Sequence, residues 1–257
     1  MHLQVMGIRI DRVNKKQALE KAEGFLNSDK QHKVFTPNPE MLVDAQKDEY
    51  FKKVLNSGDL NICDGFGLWL KYKLSSLQTD RAKRLEGSLE RVPGVDFMQD
   101  ICQIASEQGR SVYLLGSGDD RVIEKTTQKL NGKYSNLKIA GYDKGPDLKN
   151  VTSEQNQDLI KRINTTKPDI IFVAFGHGKQ EKWIYENLSK LSSIKLAMGV
   201  GGAFDYISGK TKRAPRWMQK VGLEWLYRLI KQPKRIKRIF KATFLFLYLV
   251  LCFKQKF

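Results

Sequence analysis

Cysteine and histidine are scarce in this 257-residue sequence. Cys63, Cys102 and Cys252 are scattered, odd in number and never form a CxxC pair. That pattern argues against a disulfide framework and suits a reducing compartment. His2, His32 and His177 lie far apart, so no metal-ligand spacing is visible and no structural zinc is expected. A full GxGxxG fingerprint is missing, as is GxxxxGK followed by Ser or Thr, which argues against a dinucleotide or P-loop site. There is no internal repeat and no low-complexity linker. The start, MHLQVMGIRIDRV, lacks the basic opening and apolar core of a signal peptide, and the chain is read as cytosolic. The longest apolar run, Ala242–Phe253, is about twelve residues, short of the roughly twenty that span a bilayer.

Acidic residues are missing from one region only. From Lys210 to the end there are fourteen Lys/Arg and a single acid, Glu224, leaving 31 basic and 27 acidic side chains in residues 1–209. The net charge of +17 thus belongs to a C-terminal module. Phosphates are its natural partners, on a membrane surface, a substrate or nucleic acid.

What is present in residues 1–209 is an alternation of short apolar runs with amphipathic stretches. Strands are predicted at Val34–Phe35, Leu60–Cys63, Val112–Leu115, Lys138–Gly141, Ile170–Phe175 and Leu196–Val200. Helices are predicted at Lys15–Leu26, Asp96–Gln108, Asp120–Leu130, Glu154–Asn164 and Gln180–Leu191. Such alternation implies an α/β fold, a largely parallel sheet flanked by helices. Residues 1–209 are expected to form this domain and 210–257 a basic, partly apolar appendage. Trp217, Val221, Leu223, Trp225, Leu226 and Leu229–Ile230 mark apolar faces there. Two readings fit its final run: it lies in the membrane interface, or it docks on its own domain or a dimer partner.

Predicted strand ends carry glycine or rigid polar turns, where open α/β sheets bind ligands. In Thr36-Pro37-Asn38-Pro39 two prolines stiffen an elbow, and Asn38 is positioned to cap a helix that starts at Pro39. Asp64-Gly65-Phe66-Gly67 puts a carboxylate at a strand end. It is either a helix cap or a general base in the crevice, with Thr36 as a second contact. Arg91, in Glu90-Arg91-Val92-Pro93-Gly94-Val95-Asp96, either grips phosphate or pairs with Glu90 or Asp96. Gly116-Ser117-Gly118, Gly176-His177-Gly178 and Gly199-Val200-Gly201-Gly202 are the other turns. Gln180 and Glu181 follow in a first helical turn, Gln180 suited to a sugar or nucleobase and Glu181 equally to capping. His177 is read as a turn residue.

These motifs, with Tyr113-Leu114-Leu115-Gly116, Gly176 through Trp183 and the block GVGGAFDYISGKTKRAPRWMQKVGLEWLYRLIKQPKR, occur in the order of a known family. The chain resembles the WecG/TagA/CpsF family of glycosyltransferases from near its N-terminus to about Arg238. The resemblance implies a Rossmann-like core whose appendage completes the active site at the inner face of the membrane. It implies an inverting, UDP-sugar-dependent transferase that adds a sugar, typically N-acetylmannosamine, to N-acetylglucosamine on undecaprenyl diphosphate. Teichoic acid, common antigen or capsule synthesis is the setting. Asp64 matches the family's base, Thr36 its substrate-contacting threonine, Arg91 its ERV arginine and Gln180 its GxxKQE glutamine. Arg213 and Arg228, and less closely Lys220 and Lys231, match residues for the lipid diphosphate. Asn38, Gly65, Gly116, Gly176, Gly201 and Gly202 complete the expected substrate-binding set. Two departures bear on donor choice: His177-Gly178 replaces a small-Pro pair, and the segment Ser75–Leu89 is longer than usual. Other donors, such as UDP-N-acetylmannosaminuronic acid or a UDP-hexose, fit the same chemistry.

No DxD motif suggests a metal, and none is expected; nor is any other cofactor. The expected partners are the UDP-sugar, the lipid-linked acceptor, an anionic membrane surface and, by the resemblance, a second copy in a homodimer. The basic aromatic tail also fits a nucleic-acid-binding protein. The uninterrupted apolar run and the site-like turns weigh against nucleic acid as a partner. A nucleotide-sugar epimerase or dehydrogenase would require the dinucleotide fingerprint that is missing.

Overall fold

The computed structural model describes residues 2–77, 89–148 and 150–252. The segment predicted to be unusually long before the ERV motif falls mostly at 78–88, outside the described residues. The chain opens with β1 (His2–Val5) and β2 (Ile8–Asp11), then α1 (Lys15–Leu26), β3 (His32–Phe35), α2 (Pro39–Asp44), α3 (Glu49–Asn56), β4 (Leu60–Asn61) and α4 (Phe66–Leu77). It continues with α5 (Gly94–Glu107), β5 (Ser111–Gly116), α6 (Asp120–Lys133), β6 (Lys138–Asp143), α7 (Ser153–Thr166), β7 (Ile170–Ala174), α8 (Lys179–Asn187), β8 (Leu196–Gly199) and α9 (Ala203–Ser208). Beyond these lie α10 (Arg216–Lys220), α11 (Glu224–Lys231), α12 (Ile236–Phe240), a π-helical turn (Lys241–Leu245) and α13 (Phe246–Cys252).

Strands β3 to β8 form one sheet in the order β4-β3-β8-β7-β5-β6, and every pairing is parallel. The result is the parallel α/β sheet expected from the alternation, and it is consistent with the Rossmann-like core that the resemblance implies. β7, Ile170-Ile171-Phe172-Val173-Ala174, is buried throughout because helices cover both faces. Its side chains still alternate. Ile171 and Val173 join the core beneath α2, α3, α7 and α8, whereas Ile170 and Phe172 join that beneath α1, α5, α6 and α9.

Local chemistry sets the boundaries. Asn14 and Gln17 form a reciprocal capping box at the start of α1, and Thr152 and Gln155 do the same for α7. Asn38 caps α2 as expected: its Oδ1 accepts the Met41 N–H at 3.1 Å, with Pro39 at the first helical position. Three features depart from the sequence reading. β1 and β2 form an antiparallel hairpin that was not predicted. Its turn is Met6-Gly7, both at positive φ (52° and 77°), without the Asn-Gly signature of such turns. Glu49–Asn56 is an additional helix, with Phe51, Val54 and Leu55 as its buried stripe. β4 ends at Asn61 instead of Cys63, and α4 follows from Phe66, where Gly65 C=O accepts the Trp69 N–H.

The C-terminal segment folds back onto α2. The π-helical turn and α13 pack on α2, placing Phe246 and Val250 in the same core as Met41 and Leu42. On the other side Phe244, Leu247 and Tyr248 are exposed. The apolar run therefore packs on its own protein along one face. Among the described residues no helix is long and apolar enough to cross a membrane. Removing a fully buried Phe typically costs about 3–5 kcal/mol. Phe246→Ala is accordingly expected to destabilise the whole domain by that order, read as a shift in its denaturant midpoint.

Candidate active site

A cavity of about 360 Å³ opens along the carboxyl edge of the sheet. The expected residues Thr36, Asn38, Asp64, Gly176, Gln180, Gly201, Gly202, Arg213 and Arg228 all line it. Backbone hydrogen bonds stitch its floor together. Asp64 N–H donates to Pro37 C=O at 3.3 Å, tying the strand end to the proline elbow, and Val92 N–H donates to Cys63 C=O at 2.9 Å. Gly94 N–H then donates to Asp64 Oδ2 at 3.1 Å.

Thr36 and Asp64 converge at Gly94. A Cβ built there would lie 3.2 Å from Thr36 Cγ2, 3.3 Å from Asp64 Oδ2 and 3.4 Å from Thr36 Oγ1. Hydroxyl and carboxylate therefore share one hollow, and it exists because position 94 has no side chain. Gly94 sits in the ERVPG motif without having been singled out, since sequence cannot show what a missing Cβ makes room for.

Burial raises the Asp64 carboxyl above its ordinary range, more than the Gly94 N–H and the nearby positive charges of Arg91 and Arg228 pull it down; Glu224 adds a further upward push. At the opposite wall, Gln180 is 4% exposed and Glu181 0%. Gln180 Oε1 accepts the Gly201 N–H at 2.9 Å, and its Nε2 donates to Glu181 Oε1 at 2.8 Å. Glu181 Oε2 also accepts the Gly178 N–H at 2.8 Å, so it caps α8. Burial moves its carboxyl up to about 7, against the opposing pull of these hydrogen bonds. Gln180 is thus locked between two strand-end loops.

The roof comes from the C-terminal segment. Arg213 grips both oxygens of Asp96. Arg213 and Arg228 lie over the Tyr206 ring, at 5.9 and 5.1 Å from its centroid. Arg91 does not line the cavity. It pairs with neither Glu90 nor Asp96 but reaches into the roof, donating to Gln219 C=O at 2.9 Å and Glu224 at 3.2 Å.

Other expected residues also take different places. Gly65 and Gly116 lie outside the lining; a Cβ at Gly65 would strike Pro39 at 2.5 Å and one at Gly116 the Ala174 carbonyl carbon at 2.7 Å. Both serve packing, and Ser117 takes the lining position after β5. Lys231 is exposed and sits 6.0 Å from the Tyr227 ring, away from the cavity. Lys220 belongs to α10, but its side chain is outside the described residues.

His177 is more than a turn residue. Its Nε2 lies 2.7 Å from Asp44 Oδ2, while Lys241 Nζ donates to Asp44 Oδ1 at 2.7 Å. Arg238, a cavity-lining residue absent from the expected set, holds both oxygens of Glu40 at 2.8 and 2.9 Å. Glu40, Asp44 and His177 bring possible metal-ligand atoms within 4.8 Å of one another. With Arg238 and Lys241 bound to its acids, the cluster works as a clasp between α2 and the C-terminal segment.

The model of the glycosyl transferase WecG/TagA/CpsF family matches residues 3–257. The chain belongs to this family. One relative, N-acetylglucosaminyldiphosphoundecaprenol N-acetyl-beta-D-mannosaminyltransferase of Bacillus subtilis (strain 168), is 36% identical over 207 residues, 80% of this chain and 74% of the relative. The protein of the same name from Staphylococcus aureus (strain MW2) is 30% identical over 257 residues, 99% of this chain and 94% of the relative. The chain is accordingly a WecG/TagA/CpsF-family transferase, with the cavity at the edge where parallel α/β sheets bind ligands.

Gly94→Ala tests the shared hollow. The added methyl would press on Thr36 and Asp64 together, so turnover is expected to fall at least tenfold, on the scale of a small misplacement of reacting groups. Circular dichroism should remain that of the folded wild type.

Proposed function

We propose that this chain is an inverting glycosyltransferase moving N-acetylmannosamine from UDP to N-acetylglucosamine on undecaprenyl diphosphate, at the inner membrane surface, for a cell-surface polysaccharide. One observation carries the reading: the Asp64 carboxylate and the Thr36 hydroxyl meet in a cavity roofed by arginines. The relatives' names supply the sugar and the acceptor.

In the proposed step the acceptor hydroxyl enters the hollow beside Gly94, oriented by Thr36. Asp64 removes its proton as the oxygen forms a bond to the anomeric carbon. The bond from that carbon to the UDP phosphate oxygen breaks, and its electron pair leaves with UDP. Attack from the face opposite UDP inverts the configuration. Charge on the departing diphosphate meets Arg238 and the strand-end turns at Ser117, Gly176 and Gly202 in the lining, an electrostatic role that does not require a metal. Gln180, fixed by Gly201 and Glu181, faces the donor side.

A raised Asp64 pKa has a definite sign in catalysis. The base works when ionised, so activity is full above its pKa and falls as pH drops through it. The acid limb of kcat/KM is expected above the ordinary carboxylate value of 3.8. Asp64→Asn should lose about 10²–10⁴ in turnover while UDP still binds. The assay offers UDP-sugars in turn with a short-chain lipid-diphosphate N-acetylglucosamine, with and without chelator, and identifies the product by mass spectrometry. Addition of N-acetylmannosamine in the presence of chelator is the expected outcome. Near-wild-type turnover by the Asn variant would end the assignment of the base.

The exposed apolar side chains Trp217, Trp225, Phe240, Phe244 and Tyr248, among many basic residues, support docking on an anionic bilayer. Phe240 and Phe244 stack at 5.4 Å. Replacing both by Glu should weaken sedimentation with anionic vesicles at least tenfold and leave UDP affinity unchanged.

A further inference from the structure

Glu224 is the single acid in a stretch, 210–257, that carries fourteen basic residues. Its side chain is only 12% exposed and opens α11 at the roof of the cavity. Oε2 accepts from Arg91 at 3.2 Å, while Oε1 lies 3.5 Å from Arg228 and 4.0 Å from Arg213 Nε. The three guanidiniums arrive from separate places: the loop before α5, the loop before α10 and the body of α11. Isolated exposed ion pairs fix little. A mostly buried carboxylate shared by three cations is different, because removing it leaves like charges facing one another.

The roof also holds unused donors. The Nε atoms of Arg91, Arg213 and Arg228 are all buried and make no hydrogen bond. Buried donors normally find acceptors, and guanidiniums suit the oxygens of a phosphate group. One carboxylate has too few oxygens to satisfy three forks. It can, however, hold them converged.

We propose that Glu224 is a positioning residue: it gathers Arg91, Arg213 and Arg228 into a preformed cradle over the Asp64 cavity and so fixes where the acceptor's diphosphate sits. The inference rests on the transferase reading above. Besides the three arginines, the charged or titratable groups around Glu224 are Asp64 at the end of β4, Asp96 on α5 (through Arg213) and Tyr206 on α9 (beneath Arg213 and Arg228). The Glu224 charge pushes Asp64 upward, so the roof and the base are electrically linked.

Glu224→Gln keeps the shape and removes the charge. The KM for the lipid-diphosphate acceptor should rise about tenfold with UDP affinity unchanged, and the acid limb should move to lower pH. A carboxyl ¹³C titration of Asp64 in the same variant should move the same way. That titration needs no turnover, so it tests the linkage even if the donor or the reaction has been misassigned. Glu224→Asp retains the charge on a shorter arm that cannot span three guanidiniums. It should raise the acceptor KM while leaving the Asp64 titration near wild type, and it serves alone if the Gln variant does not fold. A purely structural role would lower the melting temperature and move neither readout. An unchanged acceptor KM in either variant, or an unmoved Asp64 titration in Glu224→Gln, overturns the proposal.

Discussion

A half-buried carboxylate, bonded to one backbone N–H and within the field of two guanidiniums, is the constraint on which this structure turns. Asp64 sits where β4 has just ended, its own N–H spent on the Pro37 carbonyl and its Oδ2 on Gly94. Desolvation favours the neutral acid, whereas the Gly94 N–H, Arg91 and Arg228 favour the ion. Burial outweighs them, and the carboxyl stays above its ordinary range. Much of the surrounding chain serves that balance: the proline elbow, the bare glycine of the ERVPG loop and the basic roof.

The sheet itself was legible because its signal is strong. Apolar runs alternating with amphipathic helices leave few alternatives, and all six predicted strands are present with small shifts at their ends. What sequence did not reveal was decided by tertiary context. Asp64-Gly65-Phe66-Gly67 reads locally as a turn, but the chain is helical from Phe66 on. The N-terminal hairpin turns through a methionine with positive φ, a conformation that carries no composition signal. Of the expected site residues, Asp64, Thr36 and Gln180, read from strand-end position and resemblance, and Arg213 and Arg228, read from resemblance, all line the cavity. Arg91, read as gripping phosphate or pairing with Glu90 or Asp96, pairs instead with Glu224, which at 133 residues away lies beyond any local pattern. Gly65 and Gly116 illustrate a different ambiguity: a glycine at a strand end can face a ligand or a neighbouring backbone, and only packing distinguishes the two.

The C-terminal segment is neither a free tail nor simply core. Phe246 and Val250 are inside, Phe244 and Tyr248 outside, and the acids of α2 hold Arg238 and Lys241. The amphipathic character read from sequence is therefore divided between two different neighbours. Its inner face belongs to the transferase core, and its outer face remains available.

The shape of α2 has a mechanical consequence. This helix of six residues begins two positions after Thr36 at the Asn38 cap and carries both acids of the clasp, Glu40 and Asp44. At 1.5 Å per residue it is a rod of roughly 9 Å. A displacement of Arg238 or Lys241 would be carried along that short lever toward the threonine hydroxyl.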